Sequence, residues 1–327
     1  MILVTGATGF VGRALVPELL ANGSQVKALV RKVSTGLPVE VEQVVVDLCE
    51  IKGEGAINDA FAGVEVVIHA AARVHMMQDR SANPLAEYRK LNRDATLALA
   101  SLAADAGVKR FVFLSSIKVN GEETFPRGRP CIFKPDDEFI PTDPYGLSKY
   151  EAEQSLLALA KKTGMEVVII RSPLVYGLGV KANFSSMINW LRRGVPLPLG
   201  AINNKRSFVA LDSLVSFIAL CADRSQAPKA ANQVFLISDG EDVSTTQLLR
   251  RVADALGKEP RLLPVPTSLM SFAARLIGKG DVANRLFGSL QVDSSKARDL
   301  LGWQPVITMD EQLHKTVATD LKNETTL

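Results

Sequence analysis

Cysteine is scarce in this chain. Cys49, Cys131 and Cys221 are odd in number, far apart and part of no CxxC or Cys/His cluster. That excludes a disulfide scaffold, supplies no zinc ligand set, and makes a reducing compartment, the cytoplasm, the expected location. Charge of one sign is lacking too. Lys plus Arg is 38 and Asp plus Glu is 35, a net charge of +3 without a long block, so the basic stripe of a nucleic-acid binder is missing. No run of about 20 apolar residues offers a membrane span. The segment nearest to one, Leu262 to Ile277, contains Pro264, Pro266 and Arg275. It reads better as an amphipathic helix from Ser268, with Met270, Phe272, Ala273, Leu276 and Ile277 on its apolar side. The opening Met1-Ile2-Leu3-Val4-Thr5-Gly6 has no basic n-region and no small-residue cleavage site, so no signal peptide is expected. Internal repeats and low-complexity tracts are absent as well.

What is present suits an ordinary globular protein: 47% of the 327 residues are hydrophobic and 22% charged, enough for one large sheet or two units of roughly 150 residues. Short β-branched runs cover Ile2 to Thr5, Gln25 to Val30, Gln43 to Val46, Glu65 to His69, Arg110 to Leu114, Glu166 to Ile170 and Gln233 to Ile237. They read as strands buried on both faces. Helical patterns lie between them at Gly12 to Asn22, Ile57 to Phe61, Leu85 to Ala106 and Tyr145 to Thr163, with Gly23, Gly107 and Gly164 just past helix ends. Strand and helix in alternation predict an α/β fold, a Rossmann-type doubly wound parallel sheet. The alternation fades after Ile170. Residues 1–172 with about 207–238 are therefore assigned to a first, sheet-based domain, and about 173–206 with 239–327 to a smaller, discontinuous lobe.

Gly6-Ala7-Thr8-Gly9-Phe10-Val11-Gly12 follows the first strand and opens the first helix. Glycine at those places lets the backbone turn tightly and approach a pyrophosphate, while the helix N-terminus offers unpaired N–H groups. Gly6, Thr8, Gly9, Phe10, Val11 and Gly12 are the expected contacts. Where NAD enzymes place a ribose-binding acid at the end of the second strand, this chain has Arg31 and Lys32. A guanidinium receives a 2′-phosphate and a carboxylate repels it, so NADP(H) is favoured, with NAD(H) possible. Asp47-Leu48, after the third strand, either receives the adenine amino group or caps a helix.

Tyr145-Gly146-Leu147-Ser148-Lys149 puts a phenol and an ammonium on one face of a helix that Pro144 helps to start. Upstream, Phe113-Leu114-Ser115-Ser116 ends a strand in two hydroxyls at the edge where open α/β sheets bind ligands. With these residues the chain resembles an extended short-chain dehydrogenase/reductase of the NAD(P)-dependent nucleotide-sugar epimerase/dehydratase family. The matching pieces include His69-Ala70-Ala71-Ala72, Asn92, Arg171-Ser172-Pro173, Val175-Tyr176-Gly177, Arg206-Ser207-Phe208-Val209 and Leu301-Gly302-Trp303. The resemblance implies that Tyr145 donates or accepts the proton, Lys149 tunes it and holds the nicotinamide ribose, and Ser116 orients the sugar oxygen. It also implies cofactor contacts from Ala70, Ala71, Ala72, Asn92 and Pro173, and a homodimer formed by the two long helices.

Family dehydratases follow the catalytic hydroxyl with an Asp-Glu pair. Here Ile117-Lys118 stands in its place, which leaves no carboxylate couple for removing water across C5 and C6. A 4-epimerase and a 4-keto reductase remain. The runs Ala70 to Met77 and Ser115 to Glu122 resemble a branch containing reductases of UDP-linked 4-keto-6-deoxy-N-acetylhexosamines, which act in bacterial surface-polysaccharide synthesis. An NADP(H)-dependent reductase of such a nucleotide sugar is therefore the first expectation and an NAD-dependent UDP-hexose 4-epimerase the second. A non-catalytic dinucleotide sensor ranks last, since sensors commonly lose the Tyr/Lys pair. For the substrate, the resemblance assigns the diphosphate to Arg206. Asn183 contacts the phosphates or caps a helix, and His75 reaches the sugar or is structural. Trp303 is expected to staple the C-terminal segment against the lobe.

Overall fold

A computed structural model describes residues 1–51, 56–74, 83–124, 131–180, 183–276, 278 and 280–325. In chain order the first half builds β1 (Ile2–Thr5), α1 (Phe10–Ala21), β2 (Val26–Val30), β3 (Glu42–Val45), α2 (Ala56–Ala60), β4 (Val66–His69), α3 (Pro84–Arg89), α4 (Thr96–Asp105), β5 (Arg110–Ser116), α5 (Pro144–Thr163) and β6 (Glu166–Ser172). The second half adds β7 (Leu174–Tyr176), α6 (Asn183–Arg192), β8 (Arg206–Ala210), α7 (Leu211–Ala222), β9 (Gln233–Leu236), β10 (Asp242–Val243), α8 (Thr245–Ala255), α9 (Thr267–Leu276), α10 (Gly280–Phe287), α11 (Ser295–Leu301) and α12 (Met309–Thr325).

Seven strands form one parallel sheet in the order β3-β2-β1-β4-β5-β6-β9, the doubly wound arrangement expected from the alternation of strand and helix. Neighbouring residues on a strand point to opposite faces, so each strand feeds two cores. Val4, Val112 and Val168 face α1 and α7, while Leu3, Phe111 and Val167 face α2, α4 and α5. All six are buried, which is why these runs are apolar without alternation. A three-stranded sheet, β10-β8-β7, lies beside a further core of Tyr176, Phe184, Phe208, Leu249 and Leu313.

Two elements differ from the sequence reading. The helix expected over Leu85 to Ala106 is interrupted by a wide π-helical turn, Lys90–Ala95, which holds Asn92 fully buried. Trp303 packs edge-on against Phe217, with ring centroids 4.9 Å apart, and so joins the core under the large sheet rather than the lobe. Among the described residues no helix is long and apolar enough to cross a membrane, and no cluster of three or more metal-ligating side chains occurs.

Candidate active site

The chain leaves β1 into Gly6, whose φ of +71° suits glycine; a Cβ there would stand 2.7 Å from the carbonyl carbon of Ala70. Gly12 is constrained differently, since its Cβ would lie 2.6 Å from Cα of Ala7. Gly6 brings the turn against the chain leaving β4, and Gly12 brings the first turn of α1 against the turn itself. Gly9 then caps α1 with no side chain, so the first N–H groups of the helix have no partner inside it. That cradle fits an anionic pyrophosphate.

Gly6, Thr8, Gly9, Phe10, Val11 and Gly12 all line a cavity of about 1160 Å³, and so do Arg31, Asp47, Leu48, Ala70, Ala71, Ala72, Ser116, Tyr145, Lys149, Pro173 and Arg206. Arg31 is exposed at the end of β2. Asp47 also caps the short turn after β3, its Oδ1 accepting from Cys49 N at 2.9 Å. Two expected cofactor contacts, Lys32 and Asn92, are not among the lining residues. Asn92 spends its side chain elsewhere. Its Oδ1 accepts from Arg73 N at 2.8 Å, and its Nδ2 donates to Arg73 O at 3.1 Å and to Ser148 Oγ at 3.0 Å, tying the loop after β4 to α5. Asn183 is the first residue of α6, with its side chain outside what is described, and His75 lies outside the described residues.

Asp143 starts α5 by accepting from Gly146 N at 3.1 Å, and Pro144 occupies the first turn. This sets Tyr145 against the end of β5, where its hydroxyl shares a hydrogen bond with Ser116. Burial pushes the phenol up to about 12, and that hydrogen bond works in the opposite direction. One turn on, Lys149 is buried, with Nζ donating to Leu114 O at 2.9 Å and lying 4.3 Å from the centroid of the Phe113 ring. Burial brings its ammonium down to about 7, while Glu153 favours the charge. His69, bonded to Thr5 and Thr96 at 2.7 and 2.9 Å, is pushed down to about 3 by burial and is neutral.

Behind the two hydroxyls lies a network that the sequence reading did not contain. Glu153 accepts from Ser115 Oγ at 2.5 Å and from Arg171 Nη2 at 2.7 Å, and Arg171 Nη1 donates to Asn120 Oδ1 at 3.0 Å. Glu153 and Arg171 are both buried. On the lobe side, Arg206 Nη1 donates to the main-chain oxygens of Arg285 and Gly288 at 2.8 and 2.9 Å. Arg285 and Lys118 line the same cavity. Lys118 pairs with Glu122, and its ammonium is lowered by burial first and then by Arg285 and Arg206. Sequence reasoning used Lys118 only as a missing carboxylate and did not find Arg285, for which no local pattern gives a signal.

The model of the NAD dependent epimerase/dehydratase family matches residues 2–237. The chain is 47% identical over 326 residues to a Vibrio cholerae protein named UDP-glucose 4-epimerase, covering 98% of this chain and 95% of that one. That relative bears an epimerase's name where two short segments had pointed to a keto reductase. Among solved structures, a short-chain dehydrogenase/reductase superfamily protein from Agrobacterium tumefaciens with bound NAD superposes with a TM-score of 0.75 at 25% identity, covering 100% of both chains. A Thermotoga maritima UDP-glucose 4-epimerase with UDP-glucose has the same fold, with a TM-score of 0.74, 24% identity and coverage of 99% of each chain.

Proposed function

The chain belongs to the NAD dependent epimerase/dehydratase family, and on that premise we propose that it is an NAD(P)-dependent 4-epimerase of a UDP-linked hexose. One juxtaposition carries the reading: Tyr145 and Ser116 share a hydrogen bond within a single cavity that extends from the glycine turn to Arg206. The 47% likeness to a protein named UDP-glucose 4-epimerase supports the choice of reaction.

The bound dinucleotide supplies reversible hydride transfer at C4. The chain supplies position and the proton. Tyr145 takes the proton of the C4 hydroxyl and returns it to the same oxygen, while Ser116 holds that oxygen by a second hydrogen bond. Lys149 favours the phenolate by its charge and holds the nicotinamide ribose. The N–H groups of the turn from Gly6 to Gly12 hold the pyrophosphate, Asp47 and Leu48 the adenine end, and Ala70, Ala71, Ala72 and Pro173 the nicotinamide end. Arg206, with Arg285 beside it, holds the sugar's diphosphate. Epimerisation needs room for the sugar to present its other face, and a cavity of about 1160 Å³ accommodates that.

A second reading, reduction of a 4-keto sugar by NADPH, is favoured by one observation: Arg31, not an acid, stands on the cavity wall at the end of β2. The proposal also includes a homodimer through α4 and α5, and a boundary near residue 172 between cofactor domain and substrate lobe. Incubation with a panel of UDP-hexoses and NAD separates the readings. Inverted sugar at C4 without net change in absorbance at the nicotinamide band is the epimerase's result. Inertness toward every UDP-hexose, with NADPH consumed by a UDP-4-keto-6-deoxy sugar, is the reductase's.

A further inference from the structure

Helix α9 stands the wrong way round for a packing helix. Its half-buried side consists of Thr267, Met270, Ser271 and Ala274, whereas Leu269, Phe272, Ala273 and Leu276 share the opposite, exposed face. Leu269, Phe272 and Leu276 are 59%, 62% and 72% exposed, and no residue of α9 is buried. Apolar side chains at i, i+3, i+4 and i+7 make one stripe, which in an ordinary surface helix turns toward the core. The exposed surface continues to either side. Leu263 is exposed just before the helix and pairs through its main chain with Leu197, close to the exposed Val195. Leu286, in the neighbouring α10, is exposed and lines the cavity, as is Trp190.

The surrounding charge is predominantly positive. Between Trp190 and Gly200 and between Leu256 and Leu276, the bases are Arg192, Arg193, Lys258, Arg261 and Arg275, and the only acid is Glu259. Arg193, Lys258, Arg261 and Arg275 are exposed. An outward apolar stripe flanked by cations, with a tryptophan at the edge, is complementary to the acyl boundary and phosphate layer of an anionic bilayer. A second copy of the chain fits less well, because a two-fold contact through this face brings two predominantly cationic rims together.

We infer that α9 and the loop before it dock on an anionic phospholipid surface, lying in its plane and turning the mouth of the cavity toward the membrane. This goes beyond the assigned reaction and does not depend on it. The contact would hold the enzyme where membrane-bound transferases consume nucleotide sugars.

The full chain is tested by flotation with vesicles of phosphatidylcholine alone and of phosphatidylcholine containing phosphatidylglycerol. The wild-type protein floats with the anionic vesicles, weakly or not at all with neutral ones, and less as salt rises. Phe272→Ser with Leu276→Ser lowers the bound fraction at least about tenfold, and Arg261→Glu with Arg275→Glu does so on anionic vesicles. Both variants keep the wild-type melting temperature and cofactor affinity. No flotation of the wild type, equal binding to neutral and anionic vesicles, or binding indifferent to the apolar pair overturns the inference. So does a wild-type dimer that the apolar variant dissociates without any vesicle binding, which makes a second copy the occupant.

Discussion

Glu153 accepts a 2.5 Å hydrogen bond from Ser115 one helical turn beyond Lys149, so the helix carrying the phenol and the strand carrying Ser116 are locked together from behind. The lock is charged. Arg171 meets the same carboxylate at 2.7 Å, with side-chain exposures of 7% and 0%. A buried pair of this kind contributes little net stability, but losing one partner strands the other's charge.

Glu153→Gln should therefore destabilise the fold by about 3–5 kcal/mol, read as a fall in the urea midpoint. Glu153→Gln combined with Arg171→Met should cost less than the two single changes added together. Additive effects in that cycle would mean that the pair acts as two independent charges.

Tyr145→Phe keeps the ring and its edge contact with Tyr88, at 5.8 Å, but removes the hydroxyl. Turnover should fall by about 10²–10⁴-fold, while the dinucleotide dissociation constant, measured by fluorescence titration, changes by no more than about twofold. Substantial turnover by this variant would remove Tyr145 from the chemistry.

The pH dependence of stability reports on Lys149. Its folded value of about 7 lies below the ordinary 10.5, so between these limits the unfolded chain binds a proton that the folded chain has released. Stability from this group is thus complete above 10.5 and lost as pH falls through 7. Melting temperatures of the cofactor-free protein should show the corresponding slope, and Lys149→Met should flatten it. The advantage of Lys149→Met over the wild type should be largest near pH 6 and shrink toward pH 10. Parallel curves would contradict the shift.

Arg31→Asp tests the adenosine end. Replacing a guanidinium by a carboxylate should weaken NADP(H) relative to NAD(H) by at least about tenfold, seen as the ratio of the two dissociation constants. An unchanged ratio would place the 2′-position away from β2.

The large sheet was legible because its inner strands β2, β1, β4, β5 and β6 are buried on both faces as continuous apolar runs; the edge strand β3, expected to be buried likewise, instead leaves Glu42 and Val45 exposed, since no further strand covers it. The turn from Gly6 to Gly12 and the start of α5 at Pro144 were legible for local steric reasons. The small sheet was not, because β7 has three residues and β10 two, too few for any period to register. Periodicity placed Met270, Phe272, Ala273, Leu276 and Ile277 on one side of α9, but it carries no information on which way that side points; Met270 turns to the half-buried side, Phe272, Ala273 and Leu276 face outward, and Ile277 lies outside the described residues. At the site, Ser116, Tyr145 and Lys149 were named from their spacing and from the family resemblance. Arg171 was quoted only as part of a family match, and its pairing with Glu153 was missed because a buried charge on a helix has the same sequence pattern as a solvated one, and its partner lies on another element.

The most direct measurement is the fate of the C4 hydrogen. UDP-glucose carrying deuterium at C4 is incubated with the enzyme and NAD, and the product is read by mass spectrometry and proton NMR. The account predicts UDP-galactose that retains the deuterium at C4, formed by the wild type and not by Tyr145→Phe. Product with solvent hydrogen at C4, or no inversion of this or any other UDP-hexose, would contradict it.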